Sequence, residues 1–218
     1  RMVATANNNN ELTALFTRVG RIQFILLSLI CTGFIFLGKP FINMWAGSSY
    51  TEAYFIVIIL MLSETVPLIQ NIGIEIQRAK NMHKFRSIVY FFIAIGNLFI
   101  SIPLSKLYGG IGAAIGTAIA QIIGTNIIMN IYYHYRVGIN IKYFWSQIIR
   151  FIPSLILPVI TGLIIQLFEL SNITMFLCVG FVYVIIFSGS MWLFGMNQYE
   201  KDLVLTPLTK VKSLIIKR

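Results

Sequence analysis

The sequence predicts an all-α fold, a polytopic membrane helix bundle of six transmembrane helices with both termini cytoplasmic, and three observations predict it. Hydrophobic residues make up 57% of the chain and charged residues 11%, against about 25% charged in a typical soluble domain. The apolar residues gather in runs near the ~20 residues that a bilayer crossing needs, with no polar face wide enough to meet water. The Lys and Arg residues fall in alternate gaps between those runs, the pattern expected where basic loops are retained on the cytoplasmic side.

The elements follow in chain order. Residues 1–21 are expected to form a cytoplasmic lead-in, with Asn7 to Asn10 as a loop and ELTALFTRVGRIQF as a helix entering the first span. The spans are 22–37, 53–73, 88–107, 111–132, 149–168 and 173–194, together a transmembrane bundle over 22–194, followed by a basic tail, 195–218. The tail is too polar to cross and is expected to lie on the inner leaflet as an amphipathic segment. Arg1, Arg18 and Arg21 precede the first span; Arg78, Lys80, Lys84 and Arg86 separate the second from the third. Arg136, Lys142 and Arg150 separate the fourth from the fifth, and Lys201, Lys210, Lys212, Lys217 and Arg218 follow the sixth, leaving only Lys39 and Lys106 in the alternate gaps. This regularity also supports the span count, because a missed or invented helix would scramble it. Trp45, Tyr50, Tyr132, Tyr133, Tyr135, Tyr143 and Trp145 sit at span ends, as interfacial anchors do. The chain opens Arg1-Met2 with no charged-apolar-small leader pattern before its first apolar run, and it is expected to be a piece of a longer protein.

Several function classes lose support on composition. A net charge of +10 invites a nucleic-acid partner, but that needs the basic residues on one soluble face. Here they punctuate membrane edges, where anionic headgroups of the bilayer are the natural partners, and no nucleic acid is expected. Cys31 and Cys178 lie within apolar runs without a neighbouring His or second Cys and are expected to be buried, inert thiols. His83 and His134 lack further ligands at metal-binding spacing, so no metal or cofactor is expected. No Ser-His-Asp, Cys-His or paired-carboxylate arrangement falls in the spans. An enzyme is not expected.

Polar residues inside the spans carry the functional signal. Glu64 sits mid-way along the second span, in FIVIILMLSETVPLIQNIG, where a carboxylate is costly unless it faces a cavity or a partner. At 100° per residue Asn71, Glu75 and Arg78 fall within about 40° of it, predicting one polar stripe. Pro67 cannot donate to the Ser63 carbonyl, which frees a polar backbone group beside Glu64. The third span carries Asn97 with Ser101 one turn on. In the fourth, Gly112, Gly116, Ala120 and Gly124 make a small-residue packing face, flanked by a Thr117, Gln121, Thr125 stripe. Pro153 and Pro158 should bend or break the fifth span. Glu64, Asn71, Asn97 and Gln121 are the expected substrate or ion cavity residues.

A basic segment EIQRAKNMHKFRS closing one span, an asparagine mid-way through the next, and YGGIGAAIGTAIAQ opening a third resemble the C-terminal portion of polysaccharide or O-antigen repeat-unit flippases of the Wzx type, within the multidrug/oligosaccharidyl-lipid/polysaccharide exporter superfamily. The resemblance covers 2–135, and continues by helix count through the last two spans. It implies the last six of about fourteen spans, with the N-terminal lobe of the same protein missing here. It also implies a multi-pass bacterial plasma membrane protein that moves undecaprenyl-pyrophosphate-linked oligosaccharide outward for O-antigen or capsule synthesis, in company with polysaccharide polymerase machinery. The alternatives are a cation-coupled multidrug antiporter of the same superfamily, or a non-transporting scaffold of a polymer-assembly complex.

Overall fold

The computed structural model describes residues 9–170 and 172–206, which are helical with short turns and contain no strand. The helices are α1 (Asn9–Trp45), α2 (Glu52–Ile69), α3 (Ile72–Ala79), α4 (His83–Gln121), α5 (Ile141–Ile149), α6 (Ile152–Ile165) and α7 (Ile173–Ser190). Beyond Gln121 the α4 rod continues through two wide, π-helical turns, Ile122–Ile128 and Tyr133–Val137, and α7 runs on through Met191–Gly195 in the same way. A last helical stretch covers 198–206. Four helices are long and apolar enough to cross a membrane, or five when α5 and α6, bent by 42°, are taken as one broken span.

The 55-residue rod His83–Val137 is among those four, and it is a hairpin. Tyr108 and Gly109 leave helical geometry, and Gly109 takes φ 58°, ψ −138°, a conformation open to glycine because it has no Cβ. Ser101 Oγ then lies 3.3 Å from the Ala113 carbonyl oxygen; on a straight helix twelve residues would lie about 18 Å apart. The small-residue face makes this return close. A Cβ on Gly112 would meet the Leu104 carbonyl, one on Gly116 the Ser101 side chain and backbone, and one on Gly124 the Ile93 side chain.

Helix α1 is the spine. It packs antiparallel to α2, with Tyr54 Oη donating to the Ile35 carbonyl at 2.6 Å and Cys31 Sγ 3.5 Å from Thr65 Oγ1. It packs antiparallel to α7, Phe36 against Tyr183 and Phe41 against Phe176, and parallel to α6, where a Cβ on Gly162 would meet the Phe36 ring. Helix α2 runs parallel to the second arm of the hairpin: Ile56 reaches Gly110, Glu64 reaches Gln121 and Gln70 reaches Asn130.

The main core lies at one end of the bundle, where Leu12, Phe16, Ile69, Ile76, Tyr133 and Phe144 are all buried. Apart from Lys39 and Lys106, the described Lys and Arg residues belong to the segments that meet here. Lys80 Nζ donates to the Val137 carbonyl at 2.7 Å, and Arg86 to the Tyr133 hydroxyl at 3.2 Å. Along the spans little is buried, only 6% of the most apolar window of the hairpin rod. Those side chains face outward and are apolar, as lipid contact requires.

The structure revises several expectations. The first span is part of a 37-residue helix starting at Asn9, because the face of Leu12, Phe16 and Gly20 is buried as the lead-in continues the helix. Of the predicted Asn7 to Asn10 loop, Asn9 and Asn10 are already helical, and Asn7 and Asn8 lie outside the described residues. The second span, 53–73, is interrupted at Gln70–Asn71, three residues after Pro67. The fifth span, expected at 149–168, is preceded by α5, turns at Arg150–Phe151, and continues as α6 with Pro153 in its first turn, where a missing N–H costs nothing. Tyr133 is no interfacial anchor, since it is only 2% exposed and packs edge to face on Phe16. Cys178 is exposed on the outer face of α7 and not buried, unlike Cys31. The start of the tail is not a free surface segment: Glu200 is buried against Arg21, while 207–218 lie outside the described residues.

Candidate functional site

Helix α2 and the second hairpin arm bring Glu64 and Gln121 together. Gln121 Nε2 donates to Glu64 Oε1 at 2.5 Å, and both side chains are half-buried. They are 57 residues apart in sequence. The reason lies in local structure: parallel packing keeps the two helices in register, and the π-helical turn starting at Ile122 comes directly after Gln121. Wide turns of this kind redirect side chains and recur at functional positions.

One turn toward the hairpin tip, Thr117 Oγ1 lies 3.2 Å from Asn97 Oδ1 and 3.0 Å from the Ala113 carbonyl oxygen, and Ser101 Oγ donates to Asn97 Oδ1. Glu64, Gln121, Thr117 and Asn97 therefore form a polar ladder across three helical segments. The predicted Thr117, Gln121, Thr125 stripe is divided among different partners, because Thr125 turns to the Gln121 carbonyl and to Asn126. No Lys, Arg or His pairs with Glu64, since the ion pairs among the described residues are Arg21–Glu200 and Arg78–Glu75. A carboxylate on an apolar span held by one neutral amide keeps acceptor capacity for a proton or cation.

Asn71 is not part of this group. The interruption at Gln70–Asn71 resets the helical phase, so the stripe expected from 100° spacing does not continue beyond α2. Asn71 is exposed at the break, and Glu75 and Arg78 form an exposed pair at 2.9 Å with each other. Gln70 turns inward instead. Its Nε2 donates to Asn130 Oδ1 at 2.9 Å, and Trp145 Nε1 donates to the same oxygen at 3.2 Å.

A buried ion pair that the sequence does not reveal joins α1 to the start of the tail. Arg21 grips Glu200 through Nε to Oε1 at 2.6 Å and Nη2 to Oε2 at 2.9 Å, with side-chain exposures of 6% and 2%. Its guanidinium also donates to the carbonyls of Gln147 and Gly195 and stacks on the Phe151 ring, 4.3 Å from the centroid. Glu200 in turn accepts from the backbone N–H of Asn197, whose side chain accepts from the N–H of Glu200. This reciprocal cap at the start of 198–206 is visible as Asn197 with Glu200 three residues on, a signal that marks the helix start and not the distant Arg21.

Among the described residues no three His, Cys, Asp or Glu side chains converge as a metal-holding group would. No protein-family model, curated protein or solved structure matches the chain.

Proposed function

We propose that the chain is the C-terminal part of a bacterial plasma-membrane transporter that flips undecaprenyl-pyrophosphate-linked oligosaccharide for O-antigen or capsule synthesis. The observation that carries this reading is the Glu64–Gln121 contact within helices whose outer surfaces are apolar. An acid on a span without a basic partner suits coupling to ion or proton movement. The two hairpin arms counted separately, with α5 and α6 as one broken crossing, support six spans. The gathering of basic residues at one end supports a cytoplasmic face there, with both termini on it.

In this reading two lobes rock about a shared cavity, one being the missing N-terminal lobe. The sugar headgroup is sheltered while the lipid tail stays in the bilayer, and no bond is made or broken. Glu64, Gln121 and Asn97 line the cavity, and Asn71 lies at its cytoplasmic edge. Polysaccharide polymerase machinery is the expected neighbour, and neither cofactor nor nucleic acid takes part.

The same carboxylate suits a cation-coupled drug antiporter. Deleting the full gene separates the two: lipid-linked oligosaccharide accumulating on the inner leaflet supports the flippase, and drug hypersensitivity the antiporter. Neither phenotype is expected of a scaffold. In the full-length protein Glu64→Gln keeps the shape and removes the titratable group. Transport should fall about a hundredfold or more and lose its ion dependence, the size of effect expected for a positioned proton-transfer group. Normal transport with unchanged ion dependence would remove Glu64 from the mechanism.

A further inference from the structure

Apart from the Glu64 ladder, with which it shares no residue, a cavity of about 400 Å³ opens between α3 and the first turns of α4, lined by Ile74, Gln77, Arg78, His83, Arg86 and Ser87. Apart from Ile74, every lining side chain can donate a hydrogen bond, and none is a carboxylate. Arg86 has no acidic partner among the described residues. Two phenols hold it, Tyr90 at 2.6 Å and Tyr133 at 3.2 Å, and they leave three of its five N–H donors uncommitted. Gln77 is 0% exposed, and neither its Nε2 nor its Oε1 has a hydrogen-bond partner. Buried amides are rarely left so. The first turn of α4 adds backbone N–H groups that no side chain caps, and these favour an anion.

From these groups we infer that the α3–α4 cavity binds a phosphate group. Arg86 is the fixed charge, Gln77 Nε2 the inner donor, and His83, Ser87 and Arg78 complete the shell. Arg78 also bridges to Glu75 at 2.9 Å, and both side chains of that pair are exposed. A phosphate suits this lining better than a carboxylate because its oxygens can take donors from several directions at once. The depth suits a lipid headgroup: directly after Ser87, the first arm turns apolar and outward, with Ile88, Phe91 and Phe92 all more than half exposed. The inference does not depend on the flippase reading.

The test uses the full 218-residue chain in nanodiscs of phosphatidylcholine with or without phosphatidic acid, with retained lipid counted by native mass spectrometry. Phosphatidic acid should be retained over phosphatidylcholine, and Arg86→Gln should weaken retention about tenfold, as expected for losing charge-assisted hydrogen bonds. Lys84→Gln, which changes an exposed lysine outside the cavity, should leave it within about twofold, the effect of a screened surface charge. If Arg86→Gln does not fold, Gln77→Leu decides instead, since it keeps every charge and should still weaken retention. Retention equal to wild type in the folded variants, or an equal loss in Lys84→Gln, would overturn the site. Inorganic phosphate at matched ionic strength distinguishes the sources. Displacement of the lipid supports recognition of the phosphate group itself, and retention despite it supports a site that needs the whole headgroup.

Discussion

At the end of the bundle where α1 begins, Phe16 meets Tyr133 and Phe144 edge to face with centroids 5.5 and 4.9 Å apart, whereas at the opposite end Trp45, Leu107 and Leu167 stand 81, 73 and 82% exposed. The first end closes on itself through aromatic packing, a buried ion pair and the Gln70–Asn130–Trp145 contacts. Its counterpart is held by pairwise ring contacts such as Phe34 on Tyr54 and Phe41 on Phe176. The difference teaches where the fold keeps its stability. One end anchors the helices, and the spans beyond it are free to take their solvent from the bilayer.

Breaking the anchor should have the largest effect. Arg21→Ala leaves Glu200 buried without its partner, and Glu200→Ala does the reverse; each should cost about 3–5 kcal/mol in unfolding measured in mixed micelles. Lys106→Ala, at the open end, should stay within about 0.5 kcal/mol. Equal effects from the two would erase the distinction between the ends.

Glycines give the next test. At Gly20 an added Cβ meets Phe144 at 2.6 Å and the Ile69 carbonyl oxygen at 2.7 Å, so Gly20→Ala should destabilise by about 1–3 kcal/mol. At Gly96, mid-way along the first hairpin arm, nothing lies within 4 Å. Gly96→Ala should therefore stabilise by about 0.5–1 kcal/mol, the helix-interior penalty of glycine. The opposite signs, read in the same unfolding assay, would sharpen the contrast between packed end and open span. Comparable in size to the Gly96 effect and opposite in sign is Trp145→Phe, which removes one donor to Asn130 and should cost about 1 kcal/mol. The outcome is checked by the same titration and by cross-linking α2 to the second arm, which Gln70 should still hold.

Much of the bundle could be read from local features. The apolar runs mark α1, α2, both hairpin arms and α7, and Pro153, expected to bend or break the fifth span, falls in the first turn of α6. Contacts between distant elements could not be read this way. Glu64 and Gln121 were each conspicuous as polar residues in apolar runs, but periodicity places a residue on a face of its own helix and says nothing of which helix lies opposite. Asn71 shows the converse failure, because a stripe extrapolated at constant pitch assumes an unbroken helix. Arg21 is the clearest case: in sequence it looks like one more topology-setting charge, and only the docking of 198–206 makes it a buried group.

That pairing also carries a timetable. Arg21 and Glu200 are 179 residues apart, so at roughly 5–20 residues per second of synthesis α1 waits roughly 10 to 35 s for its carboxylate. Through that interval the guanidinium must stay hydrated or borrow another acceptor, while the hairpin and its contacts with α2 can already form. The clasp between α1 and the tail is thus among the last joints to close as the chain is made.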